Sequence, residues 1–157
     1  FRGNLLEYRR AASCTVATSP RGRWHESVMP GWDNTARRAH RATIFLGSTP
    51  ERYGSWLAEA IEREHAWADE STSMVFVNAW NEWAEGAYLE PDATHGTKYL
   101  DMTRSVILGN TPATPTPVHS NEAADVRARP GQAGSLAVRL VLGTSKHVAQ
   151  RATARVE

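Results

Sequence analysis

The sequence predicts an α/β fold: the C-terminal portion of a (β/α)8 TIM-type barrel, incomplete, with a Pro-rich linker and a short tail. Three observations carry that expectation. Ser73-Met-Val-Phe-Val77 is an unbroken apolar run, helical periodicity flanks it on both sides, and the composition changes after Gly109. A continuous apolar run, unlike an alternating one, marks a strand buried on both faces, as in a parallel sheet whose crossovers are helices.

In chain order, Asn4 to Ser13 reads as a short helix with Asn4 as N-cap and Leu5, Leu6, Tyr8 and Ala12 as an incomplete apolar face. Thr15 to Arg23 is a loop by composition. Trp24 to Met29 suits one strand, ended by Pro30-Gly31. Trp32 to Arg38 is polar and irregular and opens a long loop. Ser48-Thr-Pro-Glu51 is a capping box with Pro50 in the first turn, and Tyr53, Trp56, Leu57, Ala60 and Ile61 recur at helical spacing, predicting a helix to about Ala68. The apolar strand follows. After a second polar loop, Thr97 to Leu108 supplies a last helix.

This alternation is the rhythm of right-handed βαβ units. A full barrel takes about 250 residues, so two strands and three helices cannot close one. The expected partner is the missing N-terminal part of the same barrel, and the start at Phe1, with neither Met nor an apolar leader, reads as processed or truncated. Residues 1–110 are therefore assigned to the barrel and 111–135 to a Pro/Gly/Ser-rich linker. Residues 136–157 form a tail without an assigned role, in which Leu136 to Leu142 could make one strand.

Composition narrows the function classes. The 157 residues are 41% hydrophobic and 22% charged, an ordinary globular balance. Eighteen basic against 17 acidic residues leave a net charge of +1, too little field to hold nucleic acid or an anionic membrane. No stretch approaches the roughly 18 apolar residues of a membrane span. The single cysteine, Cys14, has no disulfide partner, which agrees with a reducing compartment and a cytoplasmic location. Of the six tryptophans, Trp24, Trp32, Trp80 and Trp83 lie in polar surroundings where flat aromatic faces suit sugar rings. Trp56 and Trp67 read as core.

The chemistry centres on Asn78-Ala-Trp-Asn-Glu-Trp-Ala-Glu-Gly-Ala-Tyr-Leu-Glu-Pro-Asp92, directly after the buried strand. In α/β barrels the carboxyl ends of strands carry the catalytic groups. Two glutamates at i and i+3 are most often a solvated helix face. Glu82 and Glu85, framed by Trp80, Trp83 and Gly86, can instead point into one pocket, where like-charge repulsion and nearby indoles separate an acid from a base. Glycosidic chemistry needs that division. Asp33, Asn34, Arg37 and Arg38 follow the other strand end and could bond sugar hydroxyls or an anionic group, or form a salt-bridged rim. Glu90 and Asp92, after Tyr88, read as residues that fix the loop or touch substrate, with loop fixing the stronger reading. His95 beside Asp92 lacks a third ligand, so neither metal nor cofactor is expected. His25, His40, His65, His119 and His147 show no partner in sequence.

The segment Asn81-Glu-Trp-Ala-Glu-Gly86 resembles the Asn-Glu-Trp-x-Glu-Gly motif of glycoside hydrolase family 99. The wider pattern is Met29-Pro-Gly-Trp-Asp-Asn-Thr-Ala-Arg-Arg38, Gly47-Ser-Thr-Pro50, Tyr53, Trp56-Leu57 and Asn78 to Asp92. It more closely resembles the WbsX branch, bacterial family-99-like domains regarded as glycosyltransferases of surface polysaccharide (O-antigen-type) assembly. The resemblance spans about Phe1 to Leu108. It implies Glu82 as the base that takes the proton of a sugar 2-hydroxyl and Glu85 as the acid toward the leaving group, with a polysaccharide or oligosaccharide as substrate. Trp32, Asp33, Asn34, Arg37, Asn78, Trp80, Asn81, Trp83 and Tyr88 are the candidate substrate contacts. Ala84 stands where mannosidases often have His, and Trp32 where they often have Tyr, which leaves the sugar open. Two other readings compete: a non-catalytic glycan-binding module, and part of a nucleotide-sugar glycosyltransferase, although no Asp-x-Asp or Gly-rich phosphate loop is present.

Overall fold

The computed structural model describes residues 1–13, 24–69, 71–110 and, as backbone, 139–142. The loop expected at Thr15 to Arg23, the linker and most of the tail lie outside the described residues. The architecture is mixed α/β with small sheets, and the described residues form no closed barrel.

Strand β1 (Asn4–Glu7) pairs in parallel with β3 (Thr43–Leu46), Asn4 opposite Thr43 and Glu7 opposite Leu46. Both depart from the sequence expectation. The predicted helix begins only at α1 (Tyr8–Ala12), and the long loop before Gly47 contains α2 (Thr35–Arg38), a 3-10 turn (Ala39–Arg41) and β3. Asn4, expected to cap a helix, donates its side-chain amide to Thr43 Oγ1 at 3.3 Å. The apolar face of Leu5, Leu6, Tyr8 and Ala12 is too incomplete to hold a helix by itself, and the segment pairs as a strand instead. The pairing partner lies 39 residues away, beyond any local pattern.

A second sheet has the order β2–β4–β7, with β2 at Glu26–Val28, β4 at Met74–Val77 and β7 at Arg139–Leu142. Both pairings are parallel, Val77 facing Val28 on one side and Leu142 on the other. The tail thus contributes a strand. Helix α3 (Pro50–Trp67) follows β3 and leads to β4 over the predicted span, but its N-cap is Thr49 and not Ser48 of the expected capping box, the Thr49 hydroxyl accepting from Arg52 N at 3.3 Å. It lays Tyr53, Leu57 and Ala60 into a core with Val28, Val75 and Val77. Burying a side chain of Leu57's size contributes about 1.5–3 kcal/mol. Helix α4 (Lys98–Ile107) packs on α3 through Tyr99 and Val106, and Tyr53 Oη donates to Thr103 Oγ1, which donates in turn to the Tyr99 carbonyl.

Strand β4 is not buried on both faces. Val75 and Val77 are 0% and 1% exposed, whereas Phe76 between them is 37% exposed. Its apolar run is nevertheless real: the helices cover one face only, and Leu5, Leu6 and Leu46 are likewise exposed. Trp67, expected in the core, is 67% exposed and lies beside Trp24.

The amino end of this sheet is fastened by Glu64, a buried carboxylate on α3. It accepts from Glu26 N at 3.0 Å and Met74 N at 3.2 Å, and lies 2.6 Å from His25 Nδ1. Arg63 adds a forked pair to Glu26 at 2.9 and 3.2 Å. Glu64 stands 39 positions from His25, too far for a local sequence pattern to pair them. At the opposite end, the loop at residues 31–33 presses on the loop at residues 85–86: Asp33 N donates to the Glu85 carbonyl at 2.7 Å. A Cβ at Gly86, where φ is +60°, would stand 3.0 Å from Asp33 N.

Two expected outcomes follow from these two ends. Burial raises the Glu64 pKa, but the bonds from His25 and from the Glu26 and Met74 amides outweigh it and hold the carboxyl below its ordinary value. A depressed folded-state pKa contributes stability above the unfolded value of about 4.3, and that stability is lost as pH falls through the folded value. Glu64→Gln should cost about 2–3 kcal/mol near neutrality and flatten the acid limb, measured by urea unfolding across pH; an unchanged limb would remove Glu64 from that role. Gly86→Ala should cost more than Gly96→Ala. Both sites have φ near +60°, worth about 1–2 kcal/mol for an L-residue, but a Cβ at Gly96 meets nothing within 4 Å. Equal losses in unfolding free energy would show that the two loops are not tightly packed at Gly86.

Candidate active site

The motif after β4 folds as a miniature hairpin. Asn81–Glu82 (β5) pairs antiparallel with Ala87–Tyr88 (β6), Asn81 opposite Tyr88 and Glu82 opposite Ala87. A 3-10 turn (Trp83–Glu85) connects them and closes on left-handed Gly86, whose amide bonds to the Trp83 carbonyl at 3.1 Å. Strand alternation alone would separate neighbouring side chains; the tight turn brings Glu85 back to the side of Glu82. The base of the hairpin is stitched by Leu89 N and Glu90 N, which both donate to the Trp80 carbonyl, at 2.9 and 3.2 Å. Asn78 N donates to the Val28 carbonyl at 2.9 Å, so the segment leaves β4 still tied to β2.

The two carboxylates meet a common cation. Arg37, on α2, places Nη2 2.8 Å from Glu82 Oε1 and Nη1 3.3 Å from Glu85 Oε1. The sequence suggested carboxylates repelling each other; the guanidinium between them offsets that repulsion. The Glu82 side chain is 11% exposed, that of Glu85 21% and that of Arg37 48%. The two carboxylates are therefore largely withdrawn from solvent rather than spread on a solvated helix face. Nothing in the sequence pattern joined Arg37 to Glu82, 45 residues apart.

The other sequence-predicted residues divide into two groups. Asp33 and Asn34 are used locally. Asp33 Oδ1 accepts from Thr35 N at 2.9 Å and from the Thr35 hydroxyl, and Asn34 Oδ1 accepts from Thr43 N at 2.8 Å. These bonds hold the loop that carries Arg37. Trp32 is half-buried, its carbonyl accepting from Phe45 N at 2.9 Å. Trp80 packs against the core cluster. Beside the glutamates, Trp83 stacks on Tyr88 with ring centroids 3.8 Å apart and planes at 15°, and donates its indole N–H to Glu90 Oε2 at 2.6 Å. Trp83 remains 49% exposed. Asn81 Oδ1 is buried and accepts no hydrogen bond from the described residues.

Asp92 is a loop-fixing residue, as expected from the sequence. Its Oδ1 accepts from Thr94 N at 2.6 Å and from His95 N, and the His95 amide is the main cause holding its carboxyl below the ordinary range. Burial, followed by the Asp92 charge, pushes the Tyr88 phenol up. Among the described residues, no three His, Cys, Asp or Glu side chains are grouped to hold a metal. No helix among them is long and apolar enough to cross a membrane.

Comparison with known proteins agrees with the motif pattern. The chain is 44% identical over 108 residues to the uncharacterized protein WxcX of Xanthomonas campestris pv. campestris, a match covering 68% of this chain and 16% of that protein. The WxcX of a second strain is 43% identical over the same length and shares. The chain thus spans about a sixth of the length of the curated relatives it matches. No solved structure matches. Residues 1–103, which hold Arg37 and the whole Glu82–Glu85 hairpin, match the family model described as Glycosyltransferase WbsX, and the chain belongs to that family.

Proposed function

We propose that this chain carries the catalytic end of a (β/α)8 barrel that cleaves or transfers glycosidic bonds in bacterial surface polysaccharide biosynthesis. The observation that carries the reading is the convergence of Glu82 and Glu85 just past β4, one nearly buried and one more open, beside the exposed Trp83 ring. Membership of a glycosyltransferase-like family supports a polysaccharide role. The parallel strands with apolar side chains on their uncovered face support a barrel completed by further strands.

In this reading a sugar ring rests on the outer face of Trp83, whose other face is taken by Tyr88. The buried, unsatisfied Asn81 Oδ1 accepts from a sugar hydroxyl; an orphaned acceptor of this kind costs about 1–3 kcal/mol until it is met. Glu82 removes the proton of the 2-hydroxyl as its oxygen attacks C1, while Glu85 gives a proton to the departing oxygen. Water or an acceptor hydroxyl then opens the resulting 1,2-anhydro sugar at C1. It yields its proton to Glu85, and Glu82 returns the first proton to O2. The acceptor decides between hydrolysis and transfer.

The test compares Glu82→Gln and Glu85→Gln in the full-length protein on 4-nitrophenyl and methyl glycosides of mannose-, glucose- and galactose-containing disaccharides. Glu85→Gln should hurt the methyl glycosides most, because the 4-nitrophenyl leaving group needs little protonation and only the later ring opening then misses Glu85. Glu82→Gln should lower kcat on both kinds by about 100-fold or more. Parent-like turnover by both variants would leave the glutamates as surface charges, and retained sugar binding with no turnover in the parent would favour a binding module.

A further inference from the structure

We infer that Arg37 is a positioning residue, a two-armed fork that sets the separation and orientation of Glu82 and Glu85, rather than a contact for the sugar. The inference rests on the catalytic reading above but on a different observation. Both terminal nitrogens of one guanidinium are engaged, each by a different carboxylate: 2.8 Å to Glu82 and 3.3 Å to Glu85. Arginine holds its donors in a rigid planar fork, so two simultaneous contacts fix the carboxylates relative to each other as one point charge could not.

The scaffold under Arg37 supports the same role. Helix α2 is one turn long and exposed, too short to hold its position alone. It is placed by Asp33 and Asn34, whose side chains bond Thr35 and Thr43, and by the Asp33 N bond to the Glu85 carbonyl. That last bond ties the strand-end loop carrying Arg37 to the very turn that carries Glu85. Polar side chains that the sequence offered as sugar contacts are thus spent on orienting Arg37. The two arms are unequal. The shorter one goes to the more buried glutamate, which stays fixed, and the longer one to the more open glutamate, which can exchange it for the leaving oxygen of a substrate.

The experiment has two arms. In the full-length protein, on the glycoside panel used for the glutamates, Arg37→Ala should lower kcat by about 100-fold, the scale of a misplacement of about 1 Å. KM should stay within about threefold, since ground-state binding is untouched. Millimolar guanidinium should restore part of the loss. Arg37→Lys should remain at least about tenfold impaired because it keeps the charge without the fork. A raised KM with kcat retained would make Arg37 a sugar contact, and parent-like kinetics would make it a bystander; either overturns the inference. If Glu82→Gln is inactive while Arg37→Ala is not, only the positioning role falls; if Glu82→Gln is active, the catalytic reading falls first. The second arm needs no substrate. Phenylglyoxal, followed by peptide mass mapping, should label Arg37 at least about fivefold faster in the folded Glu82→Gln/Glu85→Gln double variant than in the parent, because unpaired guanidinium is the reactive form. Equal rates would show that no bridge protects it.

Discussion

Val75 and Val77 of strand β4, closed over by Tyr53, Leu57 and Ala60 of α3, set the frame on which the other features are placed. With β2 on one edge and β7 on the other, β4 is the only strand of the described residues that has two neighbours. Its amino end is closed by a buried carboxylate, Glu64, bonded to the first amides of two adjacent strands. Its carboxyl end leads into the hairpin with Glu82 and Glu85. One helix therefore fixes the strand along its length, and polar groups gather only at the two ends. On the face that α3 covers, no water is on hand to meet an unpaired charge, so the polar groups are found beyond it.

The two ends use similar groups differently. Glu64 is almost without exposure and surrounded by donors fixed in the backbone, an arrangement that stores stability and leaves no open side for a ligand. Glu82 and Glu85 are held instead by a side chain that is itself half open to solvent. Carboxylates paired with a solvent-facing cation next to an exposed indole leave an open side from which a ligand can compete for their bonds. The contrast separates a fastening from a site more clearly than burial alone does, since Glu64 and Glu82 are both buried.

Close approach of two loops joins the fold to the site. Gly31 and Gly86 leave so little room that an added Cβ at Gly31 would stand 3.1 Å from the Gly86 carbonyl oxygen. Only with that spacing does the Asp33 amide reach the Glu85 carbonyl, and Arg37 the carboxylates beyond it. The Asn-Glu-Trp-Ala-Glu-Gly segment and the Pro-Gly-Trp-Asp-Asn segment are thus the two halves of one structure, and both lie within the residues that match the family model.

The sequence by itself determined the elements whose signals are local: α3, from its capping residues and 3.6-residue periodicity, β4 from its apolar run, and α4 after the Asp92 loop. It also determined the motif pattern that places the chain among WbsX proteins, and Glu82 and Glu85 as neighbours across a turn. Only the tertiary structure decided what depended on partners far along the chain. Leu5 and Leu6 belong to a strand because Thr43–Leu46 lies beside them, His25 has a partner because α3 delivers Glu64, and the strand readable in Leu136 to Leu142 found its neighbour in β4. Arg37 joined the glutamates by the same route. Helical periodicity is written within a few residues, whereas parallel pairing and ion pairs depend on which distant segments the core brings together.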